Sequence, residues 1–337
     1  MRFQLHIPAR MHRAIALCTA LLIIQVLSGC GSPGDDTGEP GIDTTGRIAL
    51  KDAIGEEIVL QQPAARVIGL APNLTEMIYA VGGGNTVVGR SLYCDYPPEA
   101  QAVESVGDML TLNYEKILDA RPDLVLMTFA GNSYASYRKL KELGINAFAL
   151  KDSTVDGVIA AIDTVGMLLG RNAEATRLTT QLRRTVDSIR TIAHAPGTHP
   201  VSTFILIDKA PLMSASGGFL VESIEIAGGE NIAKGGTTAY PLYSREELLR
   251  RDPEVILVPG TSREIIAEIL KLYPEWNNMR AVREGRVYVL PPDVILRPGP
   301  RIGHVIGLLY KALHGAHPDS LLNEALRGST GSSAMGS

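Results

Sequence analysis

The chain of 337 residues has room for two ordinary domains or one large one. With 45% hydrophobic and 20% charged residues, it has the composition of a globular protein, which excludes a disordered tail and a multispan membrane protein. Leaving out the three N-terminal arginines, at positions 2, 10 and 13, takes the formal net charge from −4 to −7. Because so acidic a chain has no stripe of Lys or Arg suited to phosphates, the composition argues against nucleic acid as a partner.

Residues 1–30 have the pattern of a bacterial lipoprotein signal peptide. A basic start precedes 14 apolar residues, 14–27, whereas a membrane crossing takes about 20. The sequence Leu-Ser-Gly-Cys at 27–30 resembles a lipobox, in which the cysteine thiol carries the lipid. An ordinary secretory signal followed by a chance cysteine is the alternative. The sequence therefore predicts an extracytoplasmic protein, periplasmic or on the cell surface, anchored to a bacterial membrane through Cys30.

Residues 31–47 are rich in Gly, Pro, Asp and Thr and are predicted to form a flexible tether. Of the three cysteines, Cys18 and Cys30 belong to the signal peptide and the anchor. Cys94 then remains as a lone thiol, so the sequence predicts no disulfide framework.

Two motifs occur twice, in the same order. Residues 115–126 (EKILDARPDLVL) match residues 246–257 (EELLRRDPEVIL), each with a Glu, a short amphipathic helix, a Pro seven positions on, an acid and an apolar strand. Earlier in each half, residues 76–85 (EMIYAVGGGN) match residues 222–231 (ESIEIAGGEN) as a helix that ends at glycine. This internal repetition predicts two similar α/β lobes.

The elements of the first lobe alternate between short apolar strands and helices. Strands are predicted at 66–70, 86–89, 124–128 and 147–150, and helices at 74–81, 114–120, 134–143 and 155–169. Such alternation indicates a parallel or mostly parallel sheet that is covered on both faces.

The second lobe repeats the scheme after a long connector. Residues 172–193 contain no Gly or Pro and have apolar residues three or four apart, which predicts a single rigid helix of about 33 Å. Strands follow at 201–206, 255–259 and 287–290, and helices at 220–227, 245–250, 263–272 and 301–313. The predicted divisions are a signal peptide (1–30), a tether (31–47), an N-terminal lobe (48–171), a connecting helix (172–194), a C-terminal lobe (195–316) and a tail (317–337).

The lipobox, the two lobes and the helical connector together resemble the substrate-binding proteins of ABC importers, in the class with a helical backbone that handles siderophores, haem and cobalamin. Residues 48–63 look like the leading strand pair of that family, and residues 276–290 and 298–301 look like its closing strand and helix start. The resemblance implies an α/β fold with a ligand cleft between the lobes. It also implies a monomer whose partner is a permease dimer with its ATPase subunits.

The tract at 93–100 (YCDYPPEA) resembles that of cobalamin-binding members, where the first tyrosine, here Tyr93, faces the corrin. Tyr240 lies near the position of a tryptophan that contacts the ligand in those members. Met109 corresponds to a second tryptophan, and Phe129 lies beside the position of a third. A corrin is a broad apolar disc fringed with amides, so flat side chains and polar rim groups suit it.

Three further residues, Asp293, Arg297 and Arg301, match polar ligand contacts of the same members. The resemblance therefore implies cobalamin or a related corrinoid as the transported ligand, with haem or a ferric siderophore as the alternative. From the residues alone, Tyr93 also fits a packed aromatic beside the proline turn or an axial ligand of haem. The two arginines also fit a salt bridge at the rim.

The Glu residues that open the repeated motif, Glu115 and Glu246, follow Asn113 and Ser244, which are good helix N-caps. Acids in a first helical turn interact well with the helix dipole, and Ser244 with Glu247 fits a capping box. The resemblance implies a different role, in which one exposed Glu on each lobe pairs with arginines of the permease.

Other functional classes find less support in the sequence. No P-loop, nucleophile elbow or metal-hydrolase motif is present, so no enzyme activity and no catalytic cofactor are expected. The histidines lack the spacing of a metal site. A surface adhesion or scaffold protein remains an alternative, and it would need no cleft between lobes.

Overall fold

The computed structural model describes residues 41–42 and 47–329. The predicted signal peptide, including Cys30, and most of the predicted tether lie outside these residues. Two residues predicted as tether, Gly41–Ile42, instead form a short strand, β1, which pairs antiparallel with β2 (Ile48–Lys51). Strand β2 in turn pairs antiparallel with β3 (Glu57–Leu60), which confirms the predicted leading strand pair.

The N-terminal lobe has a four-stranded parallel sheet in the order β5-β4-β6-β7. Its strands are β4 (Val67–Gly69), β5 (Val87–Arg90), β6 (Leu124–Thr128) and β7 (Ala147–Leu150). Its helices are α1 (Pro72–Ala80), α2 (Tyr114–Asp119), α3 (Tyr134–Glu142) and α4 (Val155–Leu168). Every residue of β6 and β7 is buried, as expected for a parallel sheet covered on both faces.

The connector forms helix α5 (Asn172–Ala193), with the predicted bounds. Its buried residues include Ala175, Leu182 and Val186, so a single apolar stripe packs against both lobes while most of the remaining surface is polar. At about 1.5 Å per residue, the helix is a rod of roughly 33 Å.

The C-terminal lobe has a parallel sheet in the order β10-β8-β11-β12, with β9 added antiparallel to β8. Its strands are β8 (Val201–Lys209), β9 (Leu212–Ser214), β10 (Gly229–Asn231), β11 (Val255–Pro259) and β12 (Val287–Leu290). Its helices up to residue 313 are α6 (Gly218–Ile226), α7 (Arg245–Arg251), α8 (Glu264–Leu272), α9 (Arg280–Arg283), α10 (Pro292–Ile295) and α11 (Ile302–Leu313).

The two lobes have the same strand order. In each sheet, the lobe's first parallel strand (β4 or β8) lies between the second (β5 or β10) and the third (β6 or β11), and the fourth follows at the edge. The end of the repeated motif also has the same backbone shape, since Arg121 and Asp252 follow α2 and α7 with φ of 43° and 40°. They are the two non-glycine residues of positive φ among the described residues, which confirms the predicted repetition.

The predicted C-terminal tail is wrong for residues 318–329, which form helix α12 (Pro318–Ser329). Proline begins this helix favourably, and Leu321, Leu322 and Ala325 lie three or four positions apart and are buried against the C-terminal lobe. Across the described ranges, none of the helices has the length and apolarity that a membrane crossing requires.

Candidate ligand cleft

A cavity of about 630 Å³ lies between the two lobes. This volume is within the range of small-molecule sites, about 300–1,000 Å³. Of the side chains that the sequence singles out, Met109 and Phe129 reach the cavity from the N-terminal lobe, and Tyr240 and Arg297 reach it from the C-terminal lobe. The structure therefore brings four of the seven predicted ligand contacts together around one cavity.

Asp152 forms the polar floor of the cavity. Its carboxylate accepts hydrogen bonds from the Thr128 hydroxyl at 2.8 Å and from the Asn73 amide at 2.7 Å. Burial raises the pKa of Asp152, and the two hydrogen bonds oppose that shift. The carboxylate is held in one orientation, and each of its oxygens keeps acceptor capacity for a ligand N–H.

Met109 is held at the cavity wall by Asn132. The amide of Asn132 donates to the Met109 carbonyl at 2.8 Å and to the Leu70 carbonyl at 3.1 Å, and its oxygen accepts from the backbone N–H of Thr128 at 3.0 Å. The Met109 side chain lies directly over Gly131, where a Cβ would come within 1.7 Å of the methionine methyl group. A side chain at position 131 would therefore displace the end of the Met109 side chain from this place.

The aromatic residues are not equally placed. Tyr240 lines the cavity and is 48% exposed, as expected for a side chain that faces an open cleft. Phe129 also lines the cavity, and its ring centre lies 6.1 Å from the ring centre of Tyr137. Tyr93 does not line the cavity; its ring is exposed, and its carbonyl lies 3.5 Å from an Arg297 guanidinium nitrogen. Tyr93 therefore lies at the rim.

Arg297 and Arg301 both bind Glu76, a buried acid on α1 in the opposite lobe. Arg301 donates to the two carboxylate oxygens at 2.7 and 2.9 Å, and Arg297 donates at 3.2 Å. Burial raises the pKa of Glu76, while the charges and hydrogen bonds of Arg301 and Arg297 oppose the shift. Arg301 and the neighbouring Asp293, which are 3.8 Å apart, do not line the cavity. They belong instead to a contact that joins the lobes.

The tract around Tyr93 packs against the same two arginines. Asp95 accepts from Arg297 at 2.8 Å, and the Arg301 guanidinium lies 4.4 Å from the centre of the Tyr96 ring. Burial works against ionisation of Asp95, but Arg297 holds the pKa of this carboxyl below its usual value. The tract therefore fixes the arginines at the junction of the lobes.

The repeat partner of Glu76 also crosses between the lobes. Glu222, on α6, accepts a 2.7 Å hydrogen bond from the backbone N–H of Val155, at the start of α4. An acid at a helix N-terminus satisfies an unpaired N–H and interacts well with the helix dipole. Two acids at matching positions of the repeat therefore tie each lobe to the other.

Glu115 and Glu246 are exposed in the first turns of α2 and α7. The caps of these helices come from other residues, because Asn113 accepts from the Lys116 N–H at 3.0 Å and Ser244 accepts from the Glu247 N–H at 3.2 Å. Within residues 47–329, neither Glu115 nor Glu246 forms an ion pair. Both charges are therefore available to a partner.

Glu247, next to Glu246, behaves differently. It binds Arg250 and Arg251, which lowers the pKa of Glu247 to about 2. The predicted capping box is therefore wrong in its second half, because these arginines take the carboxylate that would bond to the Ser244 N–H. The backbone N–H of Glu246 and the Ser244 hydroxyl lower the pKa of Glu246. Glu246 therefore stays ionised although it forms no ion pair among the described residues.

The sequence analysis did not predict a role for Asp152. It included Glu76 only as the first residue of a repeated motif. Asp152 comes two positions after a buried strand, where the carboxyl ends of parallel strands meet a crevice, and this signal was available in the sequence. The partners of Glu76 lie 221 and 225 positions further along the chain, so no local pattern reveals them. Over the described residues, no cluster of three or more His, Cys, Asp or Glu is arranged to hold a metal ion.

Comparison with known proteins gives a consistent result. The periplasmic binding protein family matches residues 67–294. The vitamin B12-binding protein of Vibrio cholerae serotype O1 is 32% identical over 241 residues, which covers 71% of this chain and 85% of that protein. The chain therefore belongs to the periplasmic binding protein family, whose members work outside the cytoplasm.

Two solved structures have the same fold. The periplasmic vitamin B12-binding protein of Vibrio cholerae matches with a TM-score of 0.67 and 29% identity, over 75% of this chain and 97% of that one. A periplasmic haem-binding protein from Roseiflexus, in its apo form, matches with a TM-score of 0.65 and 25% identity, over 74% of this chain and 98% of that one. These matches confirm the predicted α/β architecture.

Proposed function

We propose that this member of the periplasmic binding protein family captures cobalamin, or a related corrinoid, in the cleft between its lobes and delivers it to the permease of an ABC importer. The observation that carries the proposal is the cavity of about 630 Å³, whose walls come from both lobes. The vitamin B12-binding relatives support a corrinoid as the ligand.

The chemistry of the cavity suits a corrin ring. Tyr240, Phe129 and Met109 offer apolar and aromatic faces to a flat macrocycle. Asp152 offers acceptor oxygens and Arg297 offers donors, which match the N–H groups and carbonyl oxygens of the amides at a corrin rim. Each polar side chain is held by neighbours before the ligand arrives, which lowers the entropy lost on binding.

Haem is the alternative ligand, and the cavity suits it less well. Haem iron takes an axial His, Cys, Met or Tyr. Among the described lining residues, Tyr240 and Met109 are the candidates. Burial and the nearby charge of Asp152 raise the pKa of Tyr240, which disfavours the phenolate that binds ferric iron. Tyr93, at the rim, is the remaining candidate for an axial ligand.

The protein delivers its ligand unchanged and needs no catalytic group. Glu115 and Glu246 would each pair with a cation of one permease subunit, and they would set the register of docking more than its affinity, because exposed ion pairs contribute only about 0–1 kcal/mol. The rigid helix α5 and the two contacts that cross between the lobes favour small lobe rotations during capture.

The anchor is part of the proposal. Lipid on Cys30 and a tether of up to 17 residues would hold the protein near the membrane that carries the importer. We expect Cys30→Ser to leave the protein unlipidated and absent from the membrane fraction. Unchanged membrane association that needs detergent for release would overturn this part.

The ligand class is tested by gel filtration of residues 31–337, the chain without its signal peptide and anchor cysteine, with cyanocobalamin, haemin and a ferric siderophore in turn. All three ligands are coloured, so co-elution can be read directly. We expect cyanocobalamin to co-elute at one per chain. Co-elution of haemin or the siderophore instead would replace the corrinoid with that ligand, and conversion of the ligand during incubation would indicate an enzyme.

A further inference from the structure

The two most exposed large hydrophobic side chains of the described residues lie at similar places in the two lobes. Leu110 is 72% exposed and Leu242 is 70% exposed. Leu110 comes one position after Met109 of the cleft wall and five positions before Glu115. Leu242 comes two positions after Tyr240 of the cleft wall and four positions before Glu246. A single exposed leucine is ordinary in a globular protein, but here the two highest exposures occur once in each lobe, shortly before the repeated acid.

Leu110 is held out from the surface by a tight turn. The Asp108 carboxylate accepts from the Leu110 N–H at 2.7 Å and also from the Thr111 N–H. Gly107 and Leu112, on either side, pair as an antiparallel bridge. The backbone at Leu110 is therefore fixed, and the exposed side chain does not result from a loose loop.

Leu242 is held out in a different way. The Tyr243 N–H donates to the Leu212 carbonyl at 2.9 Å, so the segment runs as an extra extended stretch along β9. Because side chains alternate along such a stretch, Tyr243 points inward against Phe204, with 5.2 Å between ring centres, and Leu242 points outward.

The ligand does not explain this exposure, because neither leucine lines the cavity. Each side chain has an apolar surface facing water on a hydrogen-bonded backbone, four or five positions before an acid that forms no ion pair among the described residues. A partner that covers both features needs an apolar pocket beside a basic residue. Because the pattern occurs once per lobe, it needs two such places, which a dimer of identical subunits provides by symmetry.

We propose that Leu110 and Leu242 are the apolar anchors of the permease-docking surface, each entering a pocket on one subunit of the permease dimer beside the cation that pairs with Glu115 or Glu246. This inference rests on the proposed function and adds the residues that supply affinity. Exposed ion pairs contribute little to affinity, whereas an apolar side chain buried at the centre of a contact contributes much more.

The test uses the full lipidated chain and the permease–ATPase complex of the same organism, in lipid nanodiscs, with the dissociation constant measured without ligand. We expect Leu110→Ser and Leu242→Ser each to weaken binding about tenfold, the change expected from losing one buried leucine. The double variant should lose nearly all binding. All these variants should retain wild-type binding of cyanocobalamin and wild-type melting temperature, because both side chains are exposed.

The matched control is Ile192→Ser, an exposed apolar residue on the connecting helix α5, 77 positions after Glu115 and 54 before Glu246. We expect this control to bind the permease like wild type. Equal weakening in the control and in the leucine variants would overturn the inference, since it would indicate a general effect of surface hydrophobicity. Loss of cyanocobalamin binding in the leucine variants would also overturn it, by assigning them to the ligand site.

Failure of this inference is distinct from failure of the proposed docking. If Glu115→Ala with Glu246→Ala abolishes permease binding and the leucine variants bind normally, docking stands and the leucines are not anchors. If wild-type protein does not bind the permease at all, both the docking role and this inference are wrong.

Discussion

The two lobes share a strand order but present different chemistry to the cleft. At the end of β6, Thr128 pairs in register with Leu150, and Asp152 follows two positions later. At the matching end of β11 the residue is Pro259, which pairs with Leu290, and Pro292 follows two positions later. The N-terminal lobe therefore supplies the polar floor, whereas the C-terminal lobe has prolines at the corresponding positions.

Away from the cleft the lobes are alike. Each presents an acid in the first turn of the repeated helix, Glu115 or Glu246, and each such helix is followed by a residue of positive φ. We infer that one duplicated lobe has two roles. Its conserved shape outside the cleft suits a two-fold partner, and its divergence inside the cleft suits a ligand without two-fold symmetry.

The crossing acids combine both properties. Glu76 and Glu222 occupy matching positions, yet Glu76 binds two guanidinium groups whereas Glu222 binds one backbone N–H. These contacts, together with a hydrophobic core that runs through both lobes and α5, join the two lobes.

The largest effect is expected where the lobes are alike. Glu115→Ala with Glu246→Ala should abolish import of the ligand in cells while its affinity stays within about threefold, since both acids lie outside the cleft. Removal of an exposed acid at a helix start has only a small effect on stability. The matched control is Asp156→Ala with Glu264→Ala, which removes one helix-start acid from each lobe. Import by the Glu115/Glu246 variant at the control's rate would mean that these acids only support their helices.

The two crossing acids should differ in their contribution to stability. Glu76→Ala removes the buried carboxylate that binds Arg301 and leaves Arg297 with Asp95 as its acidic partner, so we expect a loss of about 3–5 kcal/mol in the free energy of unfolding. Glu222→Ala leaves one N–H without its acceptor, with an expected loss of about 1–2 kcal/mol. Urea unfolding of both variants measures the difference. Equal losses would show that the arginines find other partners.

The aromatic residues should separate the cavity from its rim. Tyr240→Ala removes a ring that lines the cavity and should weaken ligand binding at least tenfold, because a well-packed ring contributes on the order of 2–4 kcal/mol. Tyr240→Phe keeps the ring and should bind within about threefold. Tyr93→Ala should have the smaller effect, since Tyr93 lies outside the cavity. Titration calorimetry compares the ligand affinities of the three variants. Equal losses of affinity in Tyr93→Ala and Tyr240→Ala would show that the ligand site includes the rim.

The smallest effect is a pH dependence at Asp152, whose matching position in the C-terminal lobe is Pro292. Because burial raises the pKa of Asp152 in the folded chain, its ionisation destabilises the fold as the pH rises through that pKa. The melting temperature of Asp152→Asn relative to wild type should therefore increase from pH 4 to pH 7. A difference that does not change with pH would show that the carboxylate is fully compensated by Thr128 and Asn73.

Local sequence patterns predict the elements of this fold well. Strands β6, β7, β11 and β12 have their predicted bounds because each is a short apolar run between strand-breaking residues. Helix α5 also has its predicted bounds, because the segment contains no Gly or Pro. Helix α12 was missed because it follows a Gly-Ala-His-Pro segment and has only three buried apolar positions.

The site is less predictable, because it depends on contacts between distant residues. The family resemblance implies that Arg301 contacts the ligand, but in the structure its partner is Glu76 from the other lobe. Tyr240 and Phe129 line the cavity as predicted, whereas Tyr93 points out at its rim. Which side of a chain faces the cleft is decided by how the lobes pack together, and no local pattern records it.

A crystal structure of the chain with cyanocobalamin tests the central claim most directly. We expect one corrin in the cavity, with a face against Tyr240 and a side-chain amide within hydrogen-bonding distance of the Asp152 carboxylate. The Glu76 contact with Arg297 and Arg301 should be intact, and the lobes should keep their separation. A corrin bound outside the cavity, or a cavity that remains empty in crystals grown with saturating ligand, would contradict the account.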